Sequence, residues 1–319
     1  MKKIFFIIVA FSLFSCNSQP GNNLNPTQKL ENYNGNTGFS IEERILPAPD
    51  IIIKSLNKMD NVNIYASYEL NGNEKQLFLG YYNLLPPKYK NIIDEKVIGI
   101  YFVNNFLGGG MTEAVFDNSG AMYMVLFFNP EILHKNITEW INFRDNSIFK
   151  NDGSTISLNI VCNSNYYALI HTLLHETSHV FDYYNHITPF TEIFLKTGQS
   201  KFPTDFVKNI WNDYDEPVPE YNYENRKTIS FYGLGTKTNI GQAFDIFTSL
   251  GKTPFNSLYG SKTWAEDFAE SFTWYYLKKY HNIDYITTLK KGGNTILLYD
   301  PNKNELVKSR YTIFEEIVF

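Results

Sequence analysis

The chain has 319 residues, 43% of them hydrophobic and 19% charged, a normal balance for a folded protein with one catalytic domain or two tightly packed subdomains. A formal charge of −5 gives no electrostatic footprint for nucleic acid and does not favour anionic membranes as a charge-driven partner. The aromatic share of 17% is explained first by interior packing, with room for an aromatic-lined cleft.

At the N-terminus Lys2 and Lys3 precede an apolar run from Ile4 to Phe14 that is too short to span a bilayer as a helix, the pattern of an export signal over residues 1–15. Leu13-Phe14-Ser15-Cys16 resembles the lipobox of bacterial lipoproteins. The resemblance implies a lipidated Cys16 as first mature residue and a membrane-anchored protein outside the cytoplasm, on the outer membrane or cell surface rather than the inner membrane. An ordinary secretory signal with an incidental cysteine is the alternative. Cys162 is the only other cysteine, so lipidation of Cys16 leaves no intramolecular disulfide. Cys162 closes an apolar run and is expected to be a buried small hydrophobe, not a nucleophile.

Residues 16–40 are rich in Asn, Gln, Gly, Pro, Ser and Thr, which predicts a flexible tether before a domain over 41–319. Three strands are expected next: Val97 to Val103, Ala121 to Phe128 closed by Asn129-Pro130, and Ile156 to Val161, with Gly108-Gly109-Gly110 marking a loop. A helix is predicted from about Asn165 to Tyr184. Residues 187–258 hold shorter helix candidates broken by Pro203, Pro217 and Pro219, and a second strong helix runs from near Lys262 to about Tyr280. Strands followed by helices predict an α+β architecture: an N-terminal mixed sheet carrying one long helix, a mainly helical second half, and two subdomains flanking a cleft with a division near 185.

The first long helix contains His175-Glu176-Thr177-Ser178-His179. Residues four apart share a helix face, so both imidazoles reach one ion, and Glu176 stands about 100° around, placed to act on water without taking a coordination place. A catalytic zinc takes three protein ligands, and a third is therefore sought downstream. The extended pattern with Gly and His after the second histidine is absent, since Asp182 and Asn185 stand there. Glu266 and Glu270 share one face of the second helix, where one carboxylate can bind metal while the other accepts a hydrogen bond from a ligand histidine. His171 is one turn before His175, but three histidines in line span about 12 Å, which favours a hydrogen-bonded core or cleft role. Asp182 either orients a ligand imidazole or ends the helix.

These two motifs resemble the gluzincin zinc peptidases, and the run Ser257 to Phe272 is similar to the corresponding region of anthrax lethal factor and the Pro-Pro endopeptidases. The resemblance implies a zincin-like fold, one Zn2+ held by His175, His179 and Glu266, support from Glu270, Glu176 as general base, and Tyr259 as donor to the oxyanion. Tyr232 has similar neighbours but the wrong offset. The interval between the motifs is roughly twice that of those relatives, so an insertion over about 187–258 is expected to build cleft wall or lid, and proline specificity does not carry over. The implied activity is zinc-dependent endopeptidase action on a peptide or protein substrate, with Ala121 to Phe128 nominated as the edge strand that receives it. The alternatives are a surface-tethered binding lipoprotein on the same scaffold and a hydrolase of cell-wall amides.

Overall fold

The computed structural model describes residues 24–189 and 204–318. The export signal, Cys16 and residues 190–203 of the insertion therefore lie outside the described residues. Among the described residues, no helix is long and apolar enough to cross a membrane.

The chain is α+β. A five-stranded mixed sheet is built from β1 (Ile45–Leu46), β2 (Ala66–Tyr68), β3 (Val97–Asn104), β4 (Gly110–Phe116) and β5 (Met122–Phe128), interleaved with helices α1 (Asp50–Met59), α2 (Gly72–Tyr82) and α3 (Pro87–Lys96). β3 runs parallel to β1 and β5, while β2 and β4 are antiparallel to their neighbours. The continuous apolar run of β3 fits a strand covered on both faces. Ile98, Tyr101 and Val103 pack with Ile52 and Leu56 of α1 on one face, while Val97, Ile100 and Phe102 join the larger core on the other.

The second half of the chain contributes to that larger core. After α4 (Ile137–Asn146) and β6 (Phe149–Lys150) come β7 (Ile156–Val161) and α5 (Leu169–Asn185). Then follow β8 (Trp211–Asp213), β9 (Glu216–Pro217), β10 (Thr238–Asn239), α6 (Ala243–Leu250), α7 (Trp264–His281), β11 (Ile286–Lys291), β12 (Asn294–Tyr299), α8 (Glu305–Lys308) and α9 (Tyr311–Val318). Tyr89 of α3 is stacked between Phe181 of α5 and Phe272 of α7, each at 4.8 Å, and its hydroxyl lies 3.2 Å from Ser178 Oγ. This aromatic sandwich sets α5 beside α7, with α5 beneath the sheet.

Four expectations are corrected. Residues expected to be tether are packed from Leu24 onward: Thr27, Gln28 and Tyr33 are buried, and Lys29 bridges to Phe116 at the end of β4. The division near 185 is not a chain boundary, because β7 of the first half pairs with β11 of the second and one core runs through both. The several short helices expected in the insertion reduce to one α-helix, α6, among the described residues, and the mainly helical second half also carries the β11–β12 hairpin ahead of α8 and α9. Finally, Met122–Phe128 is an inner strand between β3 and β4, so the edge belongs to Gly110–Phe116.

Candidate metal centre

α5 enters the site without a side-chain N-cap and ends at His186, whose left-handed φ of 51° stops the helix while its N–H bonds to Asp182 O. α7 begins at Thr263, whose hydroxyl accepts the backbone N–H of Glu266, so the carboxylate of the first turn starts from a fixed backbone. The loop ahead of α7 is tied to the insertion. Trp264 N–H donates to Tyr214 O, and the buried Arg226 guanidinium donates to Ser261 O and Asp215 O.

His175, His179 and Glu266 are brought together. His175 Nε2 lies 3.1 Å from Glu266 Oε2 and 3.2 Å from His179 Nε2, and His179 Nε2 lies 3.7 Å from Glu266 Oε2. Ligand atoms around a tetrahedral zinc, at bonds of about 2.0–2.1 Å, stand about 3.3 Å apart. Two imidazoles and one carboxylate at this spacing are a donor set that fits zinc. Burial alone would lower the His175 pKa, but Glu266 and Glu270 on the two sides of its ring draw it up to about 10. Burial likewise opposes ionisation of Glu266, yet hydrogen bonds to His175 and His179 hold it down to about 2. The two carboxylates thus favour positive charge at the His175 ring.

Glu270 faces the other side of His175. Its Oε1 accepts from Arg144 Nη1 at 2.8 Å and lies 3.2 Å from His171 Nε2 and 3.3 Å from His175 Nδ1, the two histidine contacts falling off the ideal hydrogen-bond line. Ser257 Oγ and Trp274 Nε1 donate to its Oε2 at 2.6 and 3.2 Å. Burial would raise its pKa, but the Arg144 guanidinium and the two histidines hold it well below the carboxylate range. His171 is buried against Trp274 and lowered to about 4 by desolvation, outweighing its contact with Glu270. His171, His175 and Glu270 could also gather around an ion, yet the guanidinium 2.8 Å from that carboxylate disfavours a second cation there.

Glu176 is buried, and desolvation raises its pKa against the opposing pull of His175 and His179. Thr112 Oγ1 of β4 lies 2.8 Å from its Oε2. Tyr259 sets its ring 5.7 Å from that of His175, with Phe231 at 4.9 Å and the Arg144 guanidinium 5.2 Å over its face. Burial, with Glu266 and Glu176 nearby, raises its phenol well above the ordinary value, so it stays a proton donor. Tyr232 packs on Trp140 and Phe143 with a left-handed φ of 57°. Asp182 is not joined to His179 by a hydrogen bond among the described contacts; its oxygens accept from Thr188 N and Oγ1 at 2.7 and 2.6 Å, and it serves the helix end. Cys162 is buried, with its thiol pushed up to about 12 by desolvation, and is inert.

Sequence reasoning missed Thr112, Arg144 and the role of Ser257. Gly108-Gly109-Gly110 was the available signal for the first, since a glycine run that lets a strand approach a helix reads in sequence only as a loop. No protein-family model matches the chain, and no curated protein or solved structure matches it.

Proposed function

We propose that this protein is a zinc-dependent endopeptidase with a zincin-like fold, working outside the cytoplasm from a lipid tether at Cys16. The observation that carries the proposal is the convergence of His175 Nε2, His179 Nε2 and Glu266 Oε2 at 3.1–3.7 Å beside the buried carboxylate of Glu176. A zinc ion held by these three residues would supply Lewis acidity and ease the ionisation of water. Glu270 stands behind His175, 3.3 Å from its Nδ1, where a carboxylate can orient a ligand imidazole once a metal fixes the ring.

Glu176 takes the proton of the attacking water and delivers it to the leaving amine, a task suited to a carboxyl whose pKa burial has raised. Tyr259, protonated across the working pH range, donates to the oxygen on which negative charge develops. An extended peptide fits along the first part of β4, residues 110–112, which has no strand neighbour on its outer side among the described residues; from Glu113 to Phe116 the segment of Thr27, Gln28 and Lys29 lies against the strand. Main-chain pairing there binds peptide without demanding sequence.

The test is a peptide library with the products sequenced, run with wild-type protein, Glu176→Gln and chelator-treated protein. Purified wild type should carry one zinc per chain and cleave internal bonds, and Glu176→Gln should retain the zinc while losing activity by several orders of magnitude. Zinc-free wild type, or a His175→Ala variant with unchanged metal content, would remove the site.

A further inference from the structure

Side chains at positions 110 and 112 of β4 lie on one face of the strand, because extended backbone alternates its side chains, and both positions meet Glu176. At 110 the residue is glycine, and a Cβ there would lie 2.7 Å from Glu176 Cγ and 2.9 Å from Oε1, closer than real atoms approach. At 112 the threonine hydroxyl lies 2.8 Å from Oε2 and 2.9 Å from the backbone carbonyl oxygen of the same residue. Between them the strand leaves room for the stem of the side chain and supplies a donor to one of its two oxygens.

We propose that Gly110 and Thr112 are positioning residues for Glu176: a cradle in the edge strand that pins its side chain in one rotamer and commits Oε2 to Thr112, leaving Oε1 to handle the proton. The inference rests on the peptidase reading for the chemistry, while the cradle itself rests on contacts. A glutamate freed of such contacts distributes over several rotamers, and each turn of the side chain displaces the carboxylate by more than the tolerance of proton transfer. The placement has a further consequence. A substrate paired along β4 and a base held by β4 share one rigid element, so the position of the scissile bond relative to Oε1 is fixed by strand register and not by a loop.

Thr112→Val keeps the branched shape that suits a strand and removes the donor, whereas Thr112→Ser keeps the donor. With the best substrate from the peptide library, Thr112→Val should lower kcat about tenfold while KM and zinc content stay at wild-type values, and Thr112→Ser should restore most of the lost rate. Crystal structures of zinc-soaked wild type and Thr112→Val should show the Glu176 carboxylate fixed in the first and turned away or spread over rotamers in the second. The cradle is overturned if Glu176 is equally ordered in the same place in both. It is also overturned if the valine and serine variants lose rate alike, or if zinc is lost in step with kcat, since either result means packing and not orientation. Should wild-type protein cleave nothing, the peptidase reading fails and the crystallographic comparison alone decides the cradle.

Discussion

Glu266 and Glu270 are the same residue type one helical turn apart, yet the structure gives them opposite surroundings. Glu266 Oε2 points between two imidazole nitrogens, while Glu270 is buried with both oxygens occupied by Arg144, Ser257 and Trp274. Their conservative replacements should therefore separate. Glu266→Gln should abolish tight zinc binding while destabilising metal-free protein less than Glu270→Gln does, since the Glu266 carboxylate is a quarter exposed. Glu270→Gln should weaken zinc only about 10–100-fold, the usual effect of losing a carboxylate behind a ligand histidine. It should also destabilise metal-free protein by about 2 kcal/mol, because the buried Arg144 guanidinium then loses one of its two buried carboxylate partners and keeps only Asp145. Zinc competition with a coloured chelator, beside urea unfolding without metal, measures both. The reverse ranking would exchange the two roles.

At the scale of elements, α7 owes its start to Thr263, and the third candidate ligand lies in its first turn, three residues on. Thr263→Ala should cost about 1 kcal/mol of stability and also weaken zinc, whereas Thr263→Ser should do neither. Thermal unfolding and the same chelator competition check both effects, and loss of stability with unchanged zinc affinity would separate the cap from the site. The elements that carry their own periodicity were legible in sequence. α5, α7, β3 and β7 stand within a few residues of where the apolar pattern predicts them, and with them the four motif residues His175, Glu176, His179 and Glu266. β4 was not legible, because Gly-Met-Thr-Glu at its start alternates weakly and has one face committed to a helix that no local pattern announces. Arg144 escaped for a related reason. A charged residue on α4 reads as surface until Glu270, far along the chain, is known to meet it.

At the scale of the whole molecule, the N-terminal strap of residues 24–33 shows where composition misleads. Its polar residues predict a tether, yet Tyr33 is buried against Tyr101, its hydroxyl donates to Thr27 O, and Lys29 bridges to the end of β4. Long-range burial of a few side chains outweighs the local preference of the rest. Under the strap lies Glu113 of β4, facing Thr27, Gln28, Tyr33 and the backbone N–H of Ala114. Desolvation raises its pKa from 4.5 to about 7 despite the hydrogen bonds that oppose it. An acid whose folded pKa lies above its unfolded value favours folding while neutral, so this contribution is complete below about pH 4.5 and is lost as pH rises through about 7. Because the side chain is only partly buried at the surface, screening holds the loss to the order of 1–2 kcal/mol. Glu113→Gln should therefore be more stable than wild type at pH 8 by about that amount and equal to it at pH 4, measured by urea unfolding at both values. A chain beginning at Asn34 lacks the strap and exposes Glu113, so in that background the same substitution should lose its pH dependence. Persistence of the full difference there would place the desolvation in the sheet and not in the strap.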